Sequence, residues 1–237
     1  MKVMGDADLI SLWERGLRRH PLDRALLTLA AAFPEIPREH LADWPLGRRN
    51  QALAKARCHL FGACVHGWVA CDNCNEKLEL ELDGQLLAGA KTETDSATDE
   101  TVSACGRTFR LPTSRILAHA ASLSDPAEGA ARIAEECQVE KTPNVRWSES
   151  ELADIGEKLA LADPFSEMRI SLHCPKCGSD WQAILDIPSF FWIEIEGRVR
   201  QILFAIHALA SAYGWSEAEI LSLTDERRAL YLEMAQT

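Results

Sequence analysis

Two Cys-x-x-Cys pairs in register constrain this chain more than any other feature. Cys71-Asp72-Asn73-Cys74 opens the segment CDNCNEKLELELD (71–83), and Cys174-Pro175-Lys176-Cys177 opens CPKCGSDWQAILD (174–186). Each pair follows a short strand-like run and leads into alternating apolar and polar residues. Leu78, Leu80 and Leu82 match Trp181, Ala183 and Leu185. This period of two marks half-buried strands. Both segments end in aspartate, so the chain carries a duplicated strand–knuckle–strand unit.

One CxxC turn supplies two thiolates, and a structural zinc ion takes four soft ligands in a tetrahedron. Two such turns close one site. Cys71, Cys74, Cys174 and Cys177 are therefore expected to hold a single Zn2+, within a split zinc-ribbon-like element of two knuckle hairpins. The competing readings are a relic site without metal and a pair of redox dithiols. A redox dithiol sits at a helix start after a strand, whereas each pair here leads into a strand. Cys58, Cys64, Cys105 and Cys137 lack paired spacing and read as small buried apolar side chains. His66 and His173 lie near the knuckles and are weaker alternatives as ligands.

Around these units the pattern is helical. Apolar residues recur at helical spacing over 7–18, and His20-Pro21 breaks and restarts the helix over 22–33. Residues 34–45 read as a Pro-containing connector. A helix over 46–61 carries Arg48, Arg49, Lys55 and Arg57 on one side, with Gly62 as its C-cap. Residues 84–101 read as a mobile loop. A strand near 107–111 and helices over 113–122, 126–137 and 148–161 follow, the last with a Ser148/Glu151 capping box. The longest helix, over 190–213, carries the stripe Ile195, Val199, Ile202, Ile206, Leu209 and Tyr213. Two short helices end the chain, with Ser216 and Glu219 as a capping box and Thr224 as a cap. The expected fold is α+β and mostly helical. It comprises an N-terminal helical region (1–62), a split zinc ribbon (63–187) with an inserted loop and helices (84–165), and a C-terminal helical region (188–237) that includes the long helix.

Charge and motifs narrow the function. The chain of 237 residues is long enough to bury a core without disulfides. Its formal charge of −11 argues against whole-surface binding to nucleic acid or anionic lipid. Residues 1–62 hold ten bases and seven acids, against 15 and 29 in the remainder, so the N-terminal part either meets an acidic partner or simply lies against the acidic rest of the chain. Nucleic acid is an unlikely partner, because neither knuckle has basic and aromatic neighbours. The first eight residues lack an apolar signal core, and charges within 190–209 argue against a membrane span. A reducing cytosol is the expected compartment. No nucleophile elbow, metalloprotease helix, phosphate loop or dinucleotide fingerprint is present. A zinc held by four thiolates leaves no position for water, so the chain is not expected to be an enzyme. Glu76, Glu79 and Glu81 read as a solvated strand face, and Glu194, Glu196, Arg198 and Arg200 as surface pairs. The tryptophans at element ends read as packing anchors.

Four stretches in order resemble a known family: LISLWERGLRRHPLDRALLTLAAA (9–32) with WPLGRRNQAL (44–53), VACDNCNEKLELELD (69–83), RTFRLPTSRIL (107–117) and YGWSEAEILSLTDERRALYLEMA (213–235). Together they are similar to the phage T4-family baseplate hub assembly chaperones of contractile tails and contractile injection systems. The resemblance implies a non-enzymatic assembly factor acting on baseplate hub or spike proteins. It implies a place in the cytoplasm of a bacterial host cell, or in the virion or injection-system particle. The family's CPxCG knuckle is matched by Cys174 to Gly178. The first knuckle departs from it, with Asp72 for proline and Asn75 for glycine, which would loosen that turn. Alternatives are a zinc-ribbon transcriptional regulator binding nucleic acid, a structural baseplate subunit and, more distantly, a zinc hydrolase.

Overall fold

A computed structural model describes residues 1–89, 101–142 and 145–235. The fold is α+β. The N-terminal part is helical: α1 (Asp6–Gly16), α2 (Pro21–Ala32), α3 (Arg38–Ala42) and α4 (Leu46–Phe61). The short helix α3 lies in the stretch read from sequence as a plain connector. Pro37 at its N-cap pre-sets the backbone for a helical start. Gly62 ends α4 at a positive φ of 86°.

The first knuckle unit follows as β1 (Cys64–Ala70) and β2 (Lys77–Asp83), with α5 (Gly84–Leu87) directly after it. The expected loop over 84–101 thus begins with a helical turn. Residues 90–100 of that expectation lie outside the described residues. A small unit comes next: β3 (Thr101–Ala104), β4 (Arg107–Arg110), α6 (Ser114–Ala121), α7 (Pro126–Cys137) and α8 (Glu149–Ala162). Cys105 and Gly106 both take positive φ, 49° and 70°, and join β3 to β4 in a two-residue turn. That backbone twist suits a tight hairpin. The second knuckle unit is β5 (Met168–His173) and β6 (Asp180–Leu185). Then come α9 (Ile187–Tyr213), α10 (Glu217–Leu221) and α11 (Asp225–Ala235). Helix α9 starts earlier than the sequence suggested, because Asp186 caps it and Pro188 fits the first turn.

Among the described residues the strands pair only as three two-stranded antiparallel hairpins. An isolated hairpin is marginal in water, so each depends on what it packs against. The principal core joins both ends of the chain. Leu9, Leu12, Leu29, Leu41 and Leu53 pack with Phe191, Ile195, Val199, Ile202 and Leu209. Residues 1–62 and 188–237 therefore share one hydrophobic centre, with α9 as its axis. Gly16 lets α1 approach α9 closely, since a Cβ there would lie 2.1 Å from Cη2 of Trp192. A second core lies in the middle unit around Phe109, Cys137, Ile155 and Leu159. At the C-terminal end Trp215 stacks on Tyr213 at 4.7 Å and meets Tyr231 edge-on at 4.9 Å, fastening α11 to the end of α9.

Candidate metal centre

The two knuckle units are the same local structure built twice. In the first hairpin Ala70 pairs with Lys77 at the open end of the knuckle; in the second His173 pairs with Asp180. The Cys71 N–H donates to the Glu76 carbonyl at 2.8 Å, and the Cys174 N–H to the Ser179 carbonyl at 2.9 Å. The Asn75 N–H donates to Cys71 O at 2.8 Å, and the Gly178 N–H to Cys174 O at the same distance. Both turns thus close on the residue after the second cysteine, which must adopt a left-handed backbone. Gly178 has φ 73° and Asn75 has φ 57°. Asparagine tolerates this region better than other side chains. The departure from glycine in the first knuckle therefore leaves its turn intact.

The likeness extends past the strands. Asp83 accepts a hydrogen bond from the Gln85 N–H at 2.8 Å and caps α5; Asp186 accepts from the Ser189 N–H at 3.3 Å and caps α9. The matching aspartates at the ends of the two segments are N-caps. The repeat is strand, knuckle, strand, cap and helix.

The knuckles meet tip to tip and bring all four cysteines together. The sulfurs of Cys71, Cys74, Cys174 and Cys177 lie within 4.8 Å of one another. Cys71 Sγ is 3.7 Å from Cys177 Sγ, and Cys74 Sγ is 3.6 Å from Cys174 Sγ. A tetrahedral ion about 2.3 Å from each sulfur would set neighbouring sulfurs about 3.8 Å apart. This cluster could hold a metal ion. Cys71 and Cys174 are buried, Cys74 half-buried and Cys177 exposed. Lys176 of one knuckle pairs with Glu76 of the other at 2.5 Å, and that carboxylate holds the ammonium above its ordinary range.

The local electrostatics separate the four thiols. Ser179 Oγ lies 3.4 Å from Cys71 Sγ and 3.3 Å from Cys177 Sγ. The Ser179 hydroxyl, its backbone N–H and Asn73 lower Cys177 to about 5. The same hydroxyl lowers Cys71. Cys74 moves the other way: although the Glu76 N–H favours its thiolate, desolvation and the three neighbouring sulfurs push it up. Like charges this close oppose full ionisation, and a bound cation would relieve that opposition.

Neither nearby histidine joins this cluster. His173 Nδ1 lies 2.8 Å from Asp180. His66 belongs to a different group. On the outer face of the β1–β2 hairpin, Cys64, His66 and Glu81 place their ligand atoms within 4.8 Å of one another. Glu81 is exposed, as a solvated strand face requires, and also accepts a hydrogen bond from Cys64. The sequence reading missed this trio, because only the register that sets His66 opposite Glu81 assembles it. The signal available in sequence was a Cys-x-His spacing within one strand.

The remaining cysteines depart from expectation. Only Cys137 is fully buried; Cys58 is half-buried, and Cys64 and Cys105 are exposed. Each exposed thiol donates to a carboxylate at 3.2 Å, Cys64 to Glu81 and Cys105 to Asp154. Half of the basic side of α4 is also internal. Arg49 and Arg57 are buried, with Arg49 bonded to Asn50 and Ser114 and Arg57 paired with Glu194. Arg48 stacks over Trp44 at 4.2 Å. Of the predicted surface pairs, Arg200–Glu196 forms at 2.8 Å, whereas Arg198 bonds to Asp6 and Asp225. No helix among the described residues is long and apolar enough to cross a membrane.

Comparison of the chain with protein-family models, curated proteins and solved structures finds no match.

Proposed function

We propose that this chain is a non-enzymatic assembly chaperone for the baseplate hub of a contractile phage tail or injection system. In this reading it is a split zinc ribbon stapled by one structural Zn2+ on Cys71, Cys74, Cys174 and Cys177. The observation that carries the zinc assignment is the sulfur geometry: two near-tetrahedral contacts of 3.6 and 3.7 Å across the knuckles. Four thiolates suit a borderline-soft ion of tetrahedral habit. With all positions taken by protein, such an ion supports structure and leaves no place for a reactive water.

The chaperone assignment rests on the ordered resemblance over 9–32, 44–53, 69–83, 107–117 and 213–235 and on the surface the staple supports. Trp68 is 72% exposed on the outer face of the first hairpin, and Ile184 is 62% exposed on that of the second. Exposed large apolar groups on a fixed frame suit transient contact with another protein. The burial of Arg49 and Arg57 removes two charges from the face that would otherwise favour nucleic acid.

The test has two parts. Elemental analysis of purified protein should give one tightly held zinc per chain, lost in Cys74→Ser. Deleting the gene in the native producer should leave hub and spike proteins insoluble and stop baseplate formation under electron microscopy. Normal particles from the deletion strain would refute the chaperone role. Abundant copies in purified intact particles would point to a structural subunit, and salt-sensitive retention of specific DNA to a regulator.

A further inference from the structure

We infer that Cys64, His66 and Glu81 form a second metal site, open to solvent on one side and distinct from the four-cysteine cluster. The pleat puts Cys64 and His66, two residues apart, on the same face of β1, and the register puts Glu81 of β2 directly opposite His66. The donor atoms converge. Cys64 Sγ lies 3.3 Å from His66 Nε2 and 3.2 Å from Glu81 Oε1. For an ion about 2.3 Å from sulfur and about 2.1 Å from nitrogen or oxygen, these separations would be about 3.1 Å at a right angle and about 3.6 Å in a tetrahedron. The observed values fall within that interval, so an ion fits with small side-chain adjustments.

A second observation gives the open side a direction. Cys64 and His66 also line an open cleft of about 820 Å³ together with Leu60 of α4, Gln201 of α9 and Leu223 of the link between α10 and α11. Two of the three ligands therefore border open space with room for water. The two centres have different chemistries. Four sulfurs make a closed site, whereas one sulfur, one imidazole nitrogen and one carboxylate oxygen make a three-ligand site that leaves a fourth position for water. The mixed donors select a borderline ion such as Zn2+ or Co2+ over Mg2+ or Ca2+, which take oxygen ligands. Three exposed ligands hold less tightly than four partly buried thiolates, so the second ion is the weaker one.

Titration of the reduced, metal-free full chain with Co2+ tests this, because cobalt reports its ligands through visible absorption. Wild type should take up two equivalents, the first tight and rich in sulfur-to-cobalt charge transfer, the second weaker and with a different spectrum. Cys64→Ser, His66→Ala and Glu81→Gln should each weaken the second equivalent at least tenfold and leave the first unchanged. Cys74→Ser should do the reverse, which separates this site from the zinc staple. Excess Mg2+ should not compete. Saturation of wild type at one equivalent would overturn the proposal and leave the trio as a hydrogen-bonded cluster. Survival of the second equivalent in the Cys64→Ser/His66→Ala double variant would overturn it too. All three positions are exposed, and circular dichroism of each variant checks that the fold is kept.

Discussion

The Arg57 guanidinium grips the Glu194 carboxylate with two prongs, Nε to Oε2 at 2.9 Å and Nη2 to Oε1 at 2.7 Å, across 137 residues of sequence. A third donor, Nη1, reaches the Gly62 carbonyl at 2.7 Å. This contact ties the end of α4 to α9 beside the first knuckle unit. Arg57 is 6% exposed in its side chain, so the pair works in a partly desolvated setting. Removing one member strands the other charge. Glu194→Ala should cost about 3 kcal/mol in urea denaturation. Glu194→Gln, which keeps the shape and one acceptor, should cost less than half of that. Equal losses would show that the charge, which both variants remove, carries the whole contact and that shape and the remaining acceptor add nothing.

Removal of the proposed ion should act locally first. The knuckle hairpins are two-stranded and only half-buried, so their own pairing holds them weakly. In a chelator, amide exchange should rise at 71–76 and 174–179 before it changes in α4 or α9. Uniform protection with and without chelator would argue against the ion as a staple.

Asn75 and Gly178 occupy the same left-handed position in their knuckles. Asn75→Gly should leave thermal stability and metal content nearly unchanged. Asn75→Val should cost about 1–2 kcal/mol, since a β-branched side chain is strained there. A competitive chelator assay would show the same order as weaker metal retention.

Cys137 sits in the second core, and burial pushes its thiol up to about 12 from an ordinary value near 9. A raised folded value means that the stabilisation is full below pH 9 and is lost as pH climbs from 9 towards 12, where only the unfolded chain ionises readily. Relative to Cys137→Ala, the wild type should lose stability more steeply over pH 9–11, by on the order of 1 kcal/mol per pH unit. Parallel curves for the two proteins would refute the assignment. The same burial should leave Cys137 unlabelled by a thiol reagent in the native state while Cys105 reacts.

Arg49 illustrates a buried charge whose hydrogen bonds, among the described residues, go to neutral side chains. Its guanidinium donates to Asn50 Oδ1 and to Ser114 Oγ at 3.0 Å, and burial draws it down to about 10 against the pull of Asp186 and Asp163. Arg49→Met should cost about 2–4 kcal/mol by leaving those buried acceptors unpaired. Charge reversal at Arg49 is thus a stability experiment and cannot map a docking face. A Tm unchanged within a degree would contradict this packing.

Much of the architecture was legible because periodicity is a local signal. The LELELD alternation, the Ile195 to Leu209 stripe and the Ser148 and Ser216 capping boxes all mark elements that form where they were read. The convergence of the four cysteines was legible because the duplicated flanks imply duplicated turns. Strand β3 was not, since four residues ending in the Cys105-Gly106 turn carry too little pattern to separate from a loop. The fates of Arg49 and Arg57 were also hidden. A row of arginines on a helix looks solvent-facing until partners such as Ser114 and Glu194, far along the chain, arrive to satisfy them. The Cys64, His66 and Glu81 trio needed a strand register, which no single strand encodes.

Because Cys174 lies 100 residues after Cys74, synthesis imposes an interval on this protein. At roughly 5–20 residues per second, the first thiol pair leaves the ribosome roughly 5–20 seconds before its complement exists. Helix α9, the axis of the main core, emerges later still. The nascent chain therefore waits with exposed, oxidisable sulfur and an unfilled centre. Only once α9 is made can the core that it shares with α1, α2 and α4 close.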